Sequence, residues 1–375
     1  MTSVTPRRRW PLGLAALLAV LLVAAGAVVA TRLAARPSPS ASPGPVAGPT
    51  TPTASTGTPT PSPASPTPPP GADITGPLNL LLVGVDTRVS VPGWEPHADA
   101  VLVLHVPAGL DRAYLFSLPR DLVVDIPAYK AAGYPGGRTK LTHAMSYGSR
   151  VPGDRAHPST AQGYELLRTT VSRYTGLRID AGAVLTFTGF DKLVDALGGV
   201  DLYVDQRVAS IHRRPDGRYR DRAGSTYTGP QMVYEKGDRH LTGWQALDYA
   251  RQRYTAGGDY TRQRHQQQLI RALARKILDQ GLARDPARVE QVTQALGDTL
   301  VYVGGGRRLV DFAYALGGLP ADGFVLVGLP GDGVRSGGSY QGEQLLPVSR
   351  QFLAALRADT ADTFLAAHPT LRVKT

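Results

Sequence analysis

Residues 250–268, Ala-Arg-Gln-Arg-Tyr-Thr-Ala-Gly-Gly-Asp-Tyr-Thr-Arg-Gln-Arg-His-Gln-Gln-Gln, gather four arginines, Arg251, Arg253, Arg262 and Arg264, around one acid, Asp259. Cations this dense repel one another unless something anionic sits among them. The planar guanidinium fork matches phosphate oxygens, so a phosphate-bearing ligand is the chemistry this stretch points to. The competing reading is an arginine-rich surface helix. It holds only if these side chains stay outside, because inward Arg and Gln are costly unless paired.

The elements that must position this cluster follow from spacing. Asp259 can cap a helix that starts at Tyr260. Along that helix Arg262, Gln266, Leu269, Leu273 and Ile277 fall three or four residues apart, on one stripe. The later members should face a core, so Arg262 and Gln266 should point inward from the first turns. The N-terminal N–H groups add a partial positive charge there. Arg264, Arg271 and Arg275 lie off the stripe and are expected in solvent. Upstream, Thr242-Gly-Trp-Gln245 fits a capping box. It opens a short helix, with Leu241, Trp244 and Leu247 apolar, that delivers Arg251 and Arg253 to the same place.

A second set of candidates comes from the first strands. Leu78 to Val85 is a nearly continuous apolar run ending at Asp86. Asp99 precedes a second run, Ala100 to Val106, and a third, Ala113 to Leu118, ends in Pro119-Arg120-Asp121. Runs of this kind read as buried strands. In a meander, Asp86, Asp99 and Arg120 would share one edge of the sheet. Two carboxylates beside arginines can hold a hard cation against phosphate oxygens, and Mg²⁺ commonly takes only one or two protein carboxylates. Asp is also a frequent turn residue, and the pattern alone leaves both readings open.

Further on, the sequence predicts helices at Gln162–Tyr174, Phe190–Leu197, Leu309–Leu316 and Leu346–Leu356. It predicts strands at Ala183–Phe187, Val200–Val204 and Gly323–Val327. Residues 205–240 are polar and rich in Gly and Arg, and read as a long excursion. Strands alternating with helices indicate a layered α/β domain, here with a mixed sheet.

The chain has 375 residues, a formal net charge of +11 and no cysteine, which excludes disulfides, thiol catalysis, thiolate metal sites and a lipoprotein anchor. Residues 1–9 are a basic tail, and residues 10–31 carry no charge and are mostly Leu, Ala and Val. About 20 such residues span the hydrocarbon core, so this segment is expected to be a transmembrane helix with the tail in the cytoplasm. A cleaved signal peptide is the alternative, although its apolar stretch would be about 7–15 residues. Residues 32–72 form a Pro-rich extracytoplasmic linker. Its 37–70 portion holds thirteen prolines and no charge, a semi-rigid spacer reaching on the order of 100 Å. The remaining 73–375 make the globular domain. The positive charge calls for an anionic partner. With the basic residues outside the cell, nucleic acid is excluded in favour of phosphate-bearing polymers or lipids.

Five segments carry a resemblance: Leu80-Leu-Leu-Val-Gly-Val-Asp-Thr-Arg88, the Asp99 segment, Ser117-Leu-Pro-Arg-Asp121, Lys140-Leu-Thr-His-Ala-Met-Ser-Tyr-Gly148 and the 250–267 cluster. In this order, behind one membrane anchor, they resemble the LytR-CpsA-Psr proteins over about residues 78–360. The resemblance implies a three-layer α/β/α domain that binds a polyprenyl diphosphate-linked glycan, with the lipid tail in an apolar pocket. It implies transfer of a glycopolymer from that carrier to an N-acetylmuramic acid hydroxyl of peptidoglycan, assisted by Mg²⁺. By position, Asp86 and Asp99 become the metal-side carboxylates. Arg88, Arg120, Arg251, Arg253, Arg262 and Gln266 become diphosphate contacts, and Lys140 joins them as a substrate-binding residue. Many members have Arg where this chain has His97 and His265. His97 stays a candidate phosphate donor whose charge depends on pH.

Phosphoryl transfer needs positioning and charge neutralisation more than covalent help. Arg120 is therefore the expected stabiliser of developing charge, with Asp121 orienting it. Asp259 is a candidate acceptor of the hydroxyl proton, or only a helix cap. The same site with water as acceptor would be a polyprenyl diphosphate hydrolase, and a non-catalytic wall- or lipid-binding module is a further reading. A membrane-tethered transcriptional regulator would need a cytoplasmic DNA-binding domain, for which residues 1–9 are too few. The identity of the glycopolymer and the oligomeric state are not encoded in these patterns.

Overall fold

The computed structural model describes residues 71–86, 93–224, 226–279, 294, 296–316, 319–320 and 323–373. The expected basic tail, membrane helix and nearly all of the linker, together with Arg88, lie outside the described residues. Among those described, no helix is long and apolar enough to cross a membrane.

Three strands open the domain: β1 (Leu78–Asp86), β2 (His97–Val106) and β3 (Ala113–Leu118). They pair antiparallel as the expected meander. A small hairpin, β4 (Val123–Ile126) with β5 (Gly137–Lys140), leads into α1 (Thr142–Gly148) and α2 (Thr160–Thr175). The Ser159 hydroxyl accepts from the Gln162 amide at the start of α2, and Gly176 closes it in the left-handed region at φ 69°. Next come β6 (Ala181–Thr186) and α3 (Phe187–Ala196).

The 205–240 excursion is built of short pairs. β7 (Val200–Val204), β8 (Val208–Ala209), β9 (Asp221–Ala223), β10 (Thr226–Thr228), β11 (Val233–Tyr234) and β12 (Gly237–Leu241) pair as β7 with β12, β8 with β11 and β9 with β10. Then follow α4 (Gly243–Arg251), α5 (Gly258–Asp279), β13 (Leu300–Val303), α6 (Leu309–Leu316) and β14 (Phe324–Val327). The hairpin β15 (Gly331–Ser336) and β16 (Ser339–Leu345) precedes α7 (Pro347–Arg357) and α8 (Ala361–Ala367).

The central sheet runs β13-β6-β1-β2-β3-β14. It is mixed, since β6 lies parallel to β1 and β14 parallel to β3 while the other pairs are antiparallel. Side chains alternate between its faces. Leu81, Val83, Val103 and Phe116 pack with Met145, Leu166, Leu167 and Phe352 of α1, α2 and α7. Leu80, Leu82, Leu104 and Leu115 pack with Phe312 and Leu316 of α6. A third cluster joins Leu185 to Leu193, Tyr249, Leu269 and Leu273 of α3, α4 and α5. Helices therefore cover both faces, the expected α/β/α arrangement. The β15–β16 hairpin was not foreseen, because its Gly-rich polar residues carry no apolar alternation.

Candidate active site

Strands β1, β3 and β14 point the same way, so their carboxyl ends share one edge, where β2 begins. In the register, Gly84 faces Ala100 and Val85 faces Ala98, which makes Asp99 the extra residue of a β-bulge. A bulge re-aims a side chain at a strand end. Here it turns Asp99 to Arg120, just past β3, whose Nη1 donates to Asp99 Oδ1 at 2.5 Å. Arg120 Nε lies 3.9 Å from Asp121 Oδ2, and Lys140 Nζ at the end of β5 lies 3.2 Å from Asp121 Oδ1. Burial works against the Arg120 charge, but Asp99, then Asp121 and Asp259, outweigh it and raise its pKa.

The α5 helix starts at Gly258, so Asp259 lies inside its first turn and is not the cap expected for a helix beginning at Tyr260. Its carboxylate is held by the helix's own side chains. Arg262 Nη2 reaches Oδ1 at 2.8 Å, and Gln263 Nε2 donates to Oδ2 at 3.0 Å. Arg262 is 5% exposed, as the inward stripe requires. Burial pulls its pKa down against Asp259, with Arg120 adding to the fall and Asp99 opposing it. Gln266 faces inward too, and Leu269 and Leu273 are buried; the side chain of Ile277 lies outside the described residues.

The capping box of α4 forms, with Gln245 Oε1 accepting from the Thr242 amide at 2.9 Å. At the other end of α4, Arg251 stacks 4.3 Å from the Phe187 ring centre and comes within 4.0 Å of Asp86 Oδ2. Arg253 stays exposed at the rim, its guanidinium 5.4 Å from the Tyr254 ring centre. His97 sits opposite Asp86 in the register, with Nδ1 bonded to the Glu95 carbonyl at 2.9 Å.

The arginines are less anion-starved than their density suggested. Asp86, Asp99 and Asp259 stand beside Arg251, Arg120 and Arg262, and Arg264 pairs with Asp205 at 2.7 Å. Arg264 was expected free in solvent; the excursion supplies a partner that local pattern does not reveal. Asp205 also accepts from His265, which is fully buried and stacks on Tyr249 with ring centres 4.3 Å apart. Burial would raise the Asp205 carboxyl, but bonds from His265 and Arg264 hold it well below the usual range. His265 thus ties α5 to the excursion. What remains unsatisfied is informative: Arg120 Nε and Arg262 Nε are buried N–H groups with no hydrogen-bond partner. A buried donor without an acceptor is costly, and two in one site mark where an anionic ligand's oxygens fit.

Sequence reasoning missed one wall. The β15–β16 hairpin packs over the site because Gly342, at φ 146°, lets its backbone reach Asp121; a Cβ there would meet the Asp121 carbonyl oxygen at 2.4 Å. The Glu343 amide donates to that carbonyl at 2.8 Å. Glu343 Oε2 accepts from the Tyr260 hydroxyl at 3.1 Å and Oε1 from Tyr340 at 2.8 Å, while Lys140 lies over the Tyr340 ring.

Beside the charged edge lies an apolar cavity of about 90 Å³ between the sheet and α3, α4 and α5. Leu82, Leu102, Leu185, Phe190, Leu247 and Leu269 line it, and Arg251 and Gln266 supply its polar edge. Typical ligand pockets are about 300–1,000 Å³, several times the volume of this cavity.

Asp86 and Asp99, two half-buried carboxylates at one edge, are the residues that would hold a Mg²⁺ ion, a metal that commonly takes only one or two protein carboxylates; in this structure each stands beside an arginine. No cluster of three or more His, Cys, Asp or Glu that could hold a metal occurs among the described residues.

The chain is thus an α/β/α domain with arginines and carboxylates at the carboxyl edge of its sheet, next to an apolar cavity. The LytR_cpsA_psr family model matches residues 53–341, and the chain belongs to the LytR-CpsA-Psr family. It is 27% identical over 206 residues to "Regulatory protein MsrR" of Staphylococcus aureus, covering 54% of this chain and 50% of that protein. It is 26% identical over 225 residues to "Polyisoprenyl-teichoic acid--peptidoglycan teichoic acid transferase TagU" of Enterococcus faecalis, 60% of each. The chain thus spans about half the length of the first of these relatives. The fold is similar to that of B. subtilis TagV (TM-score 0.53, 17% identity, 77% of this chain and 98% of that one). It is also similar to a structure described as TagT bound to LIIa-WTA (TM-score 0.53, 23% identity, 76% and 90%).

Proposed function

We propose that this chain is a phosphotransferase that moves a glycopolymer from a polyprenyl diphosphate carrier to a hydroxyl of peptidoglycan, through a new phosphodiester. The observation that carries the reading is the pair of unpartnered, buried guanidinium N–H groups of Arg120 and Arg262 beside an apolar cavity. A diphosphate supplies the acceptors they lack, and a lipid tail matches the cavity's lining. The E. faecalis relative, named as a teichoic acid–peptidoglycan transferase, supports this reading.

In this reading the acceptor oxygen attacks the phosphorus that bears the sugar. The bond from that phosphorus to the bridging oxygen breaks, and polyprenyl phosphate leaves. Arg120, held by Asp99 and Asp121, faces the charge that develops, and Arg262 and Arg251 position the diphosphate. Asp121 and Lys140 fix the geometry around Arg120. Asp259 is the nearby carboxylate to take the hydroxyl proton, since Arg262 and Gln263 hold it in place. Mg²⁺, held by Asp86 and Asp99, would neutralise diphosphate charge when bound. Gln266 and Arg251 guard the mouth of the cavity, and His97 and Arg253 complete the anion-binding rim; Arg88, outside the described residues, is assigned to the diphosphate on the family resemblance alone. Residues 10–31 would anchor the chain in the cell membrane with the domain outside, at the level of its wall substrate.

The test uses the full-length chain in detergent with a short polyprenyl diphosphate-sugar, Mg²⁺ and an uncrosslinked peptidoglycan oligomer, read by mass spectrometry. The expected product has the mass of acceptor plus sugar phosphate. Released sugar phosphate with unmodified acceptor would make the protein a hydrolase, and tight lipid binding without turnover would make it a binding module.

A further inference from the structure

Arg120 and Arg262 stand on different elements, the loop after β3 and the first turns of α5. Burial lowers the pKa of Arg262, and the nearby charge of Arg120 adds to the fall. Two like charges facing one site push their supports apart until an anion arrives. Something other than the ligand must therefore hold α5 against the β3 loop. One tie lies deep. Gln267, further along α5, donates from Nε2 to Ser117 Oγ at 3.1 Å and to the Val327 carbonyl at 3.2 Å. It fixes the helix body and leaves the first turn, which carries Asp259, to pivot.

The second tie lies at the mouth of the site and runs through Glu343 of β16. Its backbone belongs to the Arg120 side. The Glu343 amide donates to the Asp121 carbonyl at 2.8 Å, and Glu343 forms a bridge with Leu122. Its side chain reaches the other side. Oε2 accepts from the hydroxyl of Tyr260, on the first turn of α5, at 3.1 Å, and Oε1 accepts from Tyr340 at 2.8 Å. Lys140 lies over Tyr340, 5.0 Å from its ring centre, and pairs with Asp121 at 3.2 Å.

Among the described residues, the Tyr260–Glu343 bond is the side-chain hydrogen bond by which residues 258–261 reach a distant part of the chain, since Thr261 bonds locally to the Ala256 carbonyl. Burial first, and the Glu343 carboxylate next, raise the pKa of both phenols above their ordinary range, so both donate. Bonds to a carboxylate are the stronger kind. Packing leaves little slack: a Cβ on Gly331 of β15 would lie 2.2 Å from the Tyr260 hydroxyl. Glu343 itself pairs with neither arginine, so its effect passes through the two elements that it joins.

We propose that Glu343 is a positioning residue that sets the separation of Arg120 and Arg262 to the span of a diphosphate, through its bonds to Tyr260 and to the Asp121 backbone. This rests on the reading of the site as one for a prenyl diphosphate. A diphosphate spans both arginines and feels their spacing, whereas a monophosphate needs only one of them. An acid that merely stabilised the fold would affect both ligands alike.

The test measures binding of geranylgeranyl diphosphate and geranylgeranyl monophosphate, each with Mg²⁺, to the full-length chain in detergent by titration calorimetry. Glu343→Ala should weaken the diphosphate about tenfold and the monophosphate by less than about twofold, because lost preorganisation penalises the ligand that needs both partners in place. Tyr260→Phe removes one hydroxyl and keeps the acid and the ring. It should weaken the diphosphate about fivefold, and the double variant should do no worse than Glu343→Ala, since two members of one tie are not additive. Glu343→Gln keeps an acceptor oxygen for one phenol and should recover most of the loss. Unchanged diphosphate affinity in Glu343→Ala and Tyr260→Phe overturns the proposal. Equal losses for the two ligands make Glu343 structural and overturn it as well. A wild-type chain that does not bind the diphosphate overturns the site reading and this proposal together. Diphosphate binding without transfer to peptidoglycan would sink the transferase reading alone, and the ratio of the two affinities still decides the role of Glu343.

Discussion

Arg120 stands between two carboxylates, Asp99 at 2.5 Å and Asp121 at 3.9 Å, and keeps a buried Nε with no acceptor of its own. A guanidinium fixed before the substrate arrives needs no reorganisation when charge develops, which is where such groups contribute most. Arg120→Ala should lower the transfer rate about 10²–10³-fold. Arg120→Lys keeps the charge but loses the planar fork, and should recover only a small part of that loss. Single-turnover transfer measures both, and a wild-type rate in Arg120→Ala removes Arg120 from the mechanism. Asp99 separates the two readings left open by the sequence. As a metal-side carboxylate, Asp99→Asn should raise the half-saturating Mg²⁺ concentration roughly tenfold or more. As a turn residue that only buttresses Arg120, it should lower the rate at every Mg²⁺ concentration alike. A Mg²⁺ titration of the transfer rate tells the two apart.

At the scale of elements, what could be read in advance divides by the kind of signal. Strands β1, β2 and β3 were legible because buried strands leave continuous apolar runs, and the shared edge of Asp86, Asp99 and Arg120 followed from a meander. The Asp99 bulge, the Asp205 clamp on Arg264 and His265, and the β15–β16 hairpin with Glu343 were not. Each depends on a partner far along the chain, and neither hydrophobic period nor cap chemistry encodes that. Asp248 is of the same kind. It is 5% exposed on α4, and accepts from Ser210 at 3.0 Å, Tyr234 at 2.9 Å and Gln252 at 2.8 Å. These bonds fasten the excursion to the helix that carries Arg251. Asp248→Asn replaces one acceptor oxygen by a donor facing donors. It should destabilise the fold by about 1–3 kcal/mol, seen as a lower urea midpoint with unchanged slope. A midpoint equal to wild type would mean that the excursion is held by its apolar contacts alone.

For the whole molecule, the two ends of the sheet are chemically distinct. The carboxyl edge of β1 carries the charged site, whereas the opposite end is closed by a buried polar ladder across three central strands, Asn79, His105 and Tyr114. His105 Nδ1 bonds Asn79 Oδ1 at 2.7 Å, and Asn79 in turn donates to the Arg178 carbonyl at 2.9 Å. Burial is the main cause that lowers the His105 pKa from its ordinary value of 6.5 to about 4, with Asp359 opposing it. The unfolded chain takes up this proton near pH 6.5 and the folded one only near 4. Acidification through that window therefore favours unfolding, and the loss levels off below pH 4. A shift of this size corresponds to roughly 3 kcal/mol across the window. His105→Gln retains a donor for Asn79 but cannot titrate. Between pH 7 and 4 the wild-type chain should lose more stability than the variant by an amount of this order, measured as the difference in urea midpoints at each pH. Parallel curves would show that the His105 proton is not coupled to folding and that the base of the sheet tolerates its charge.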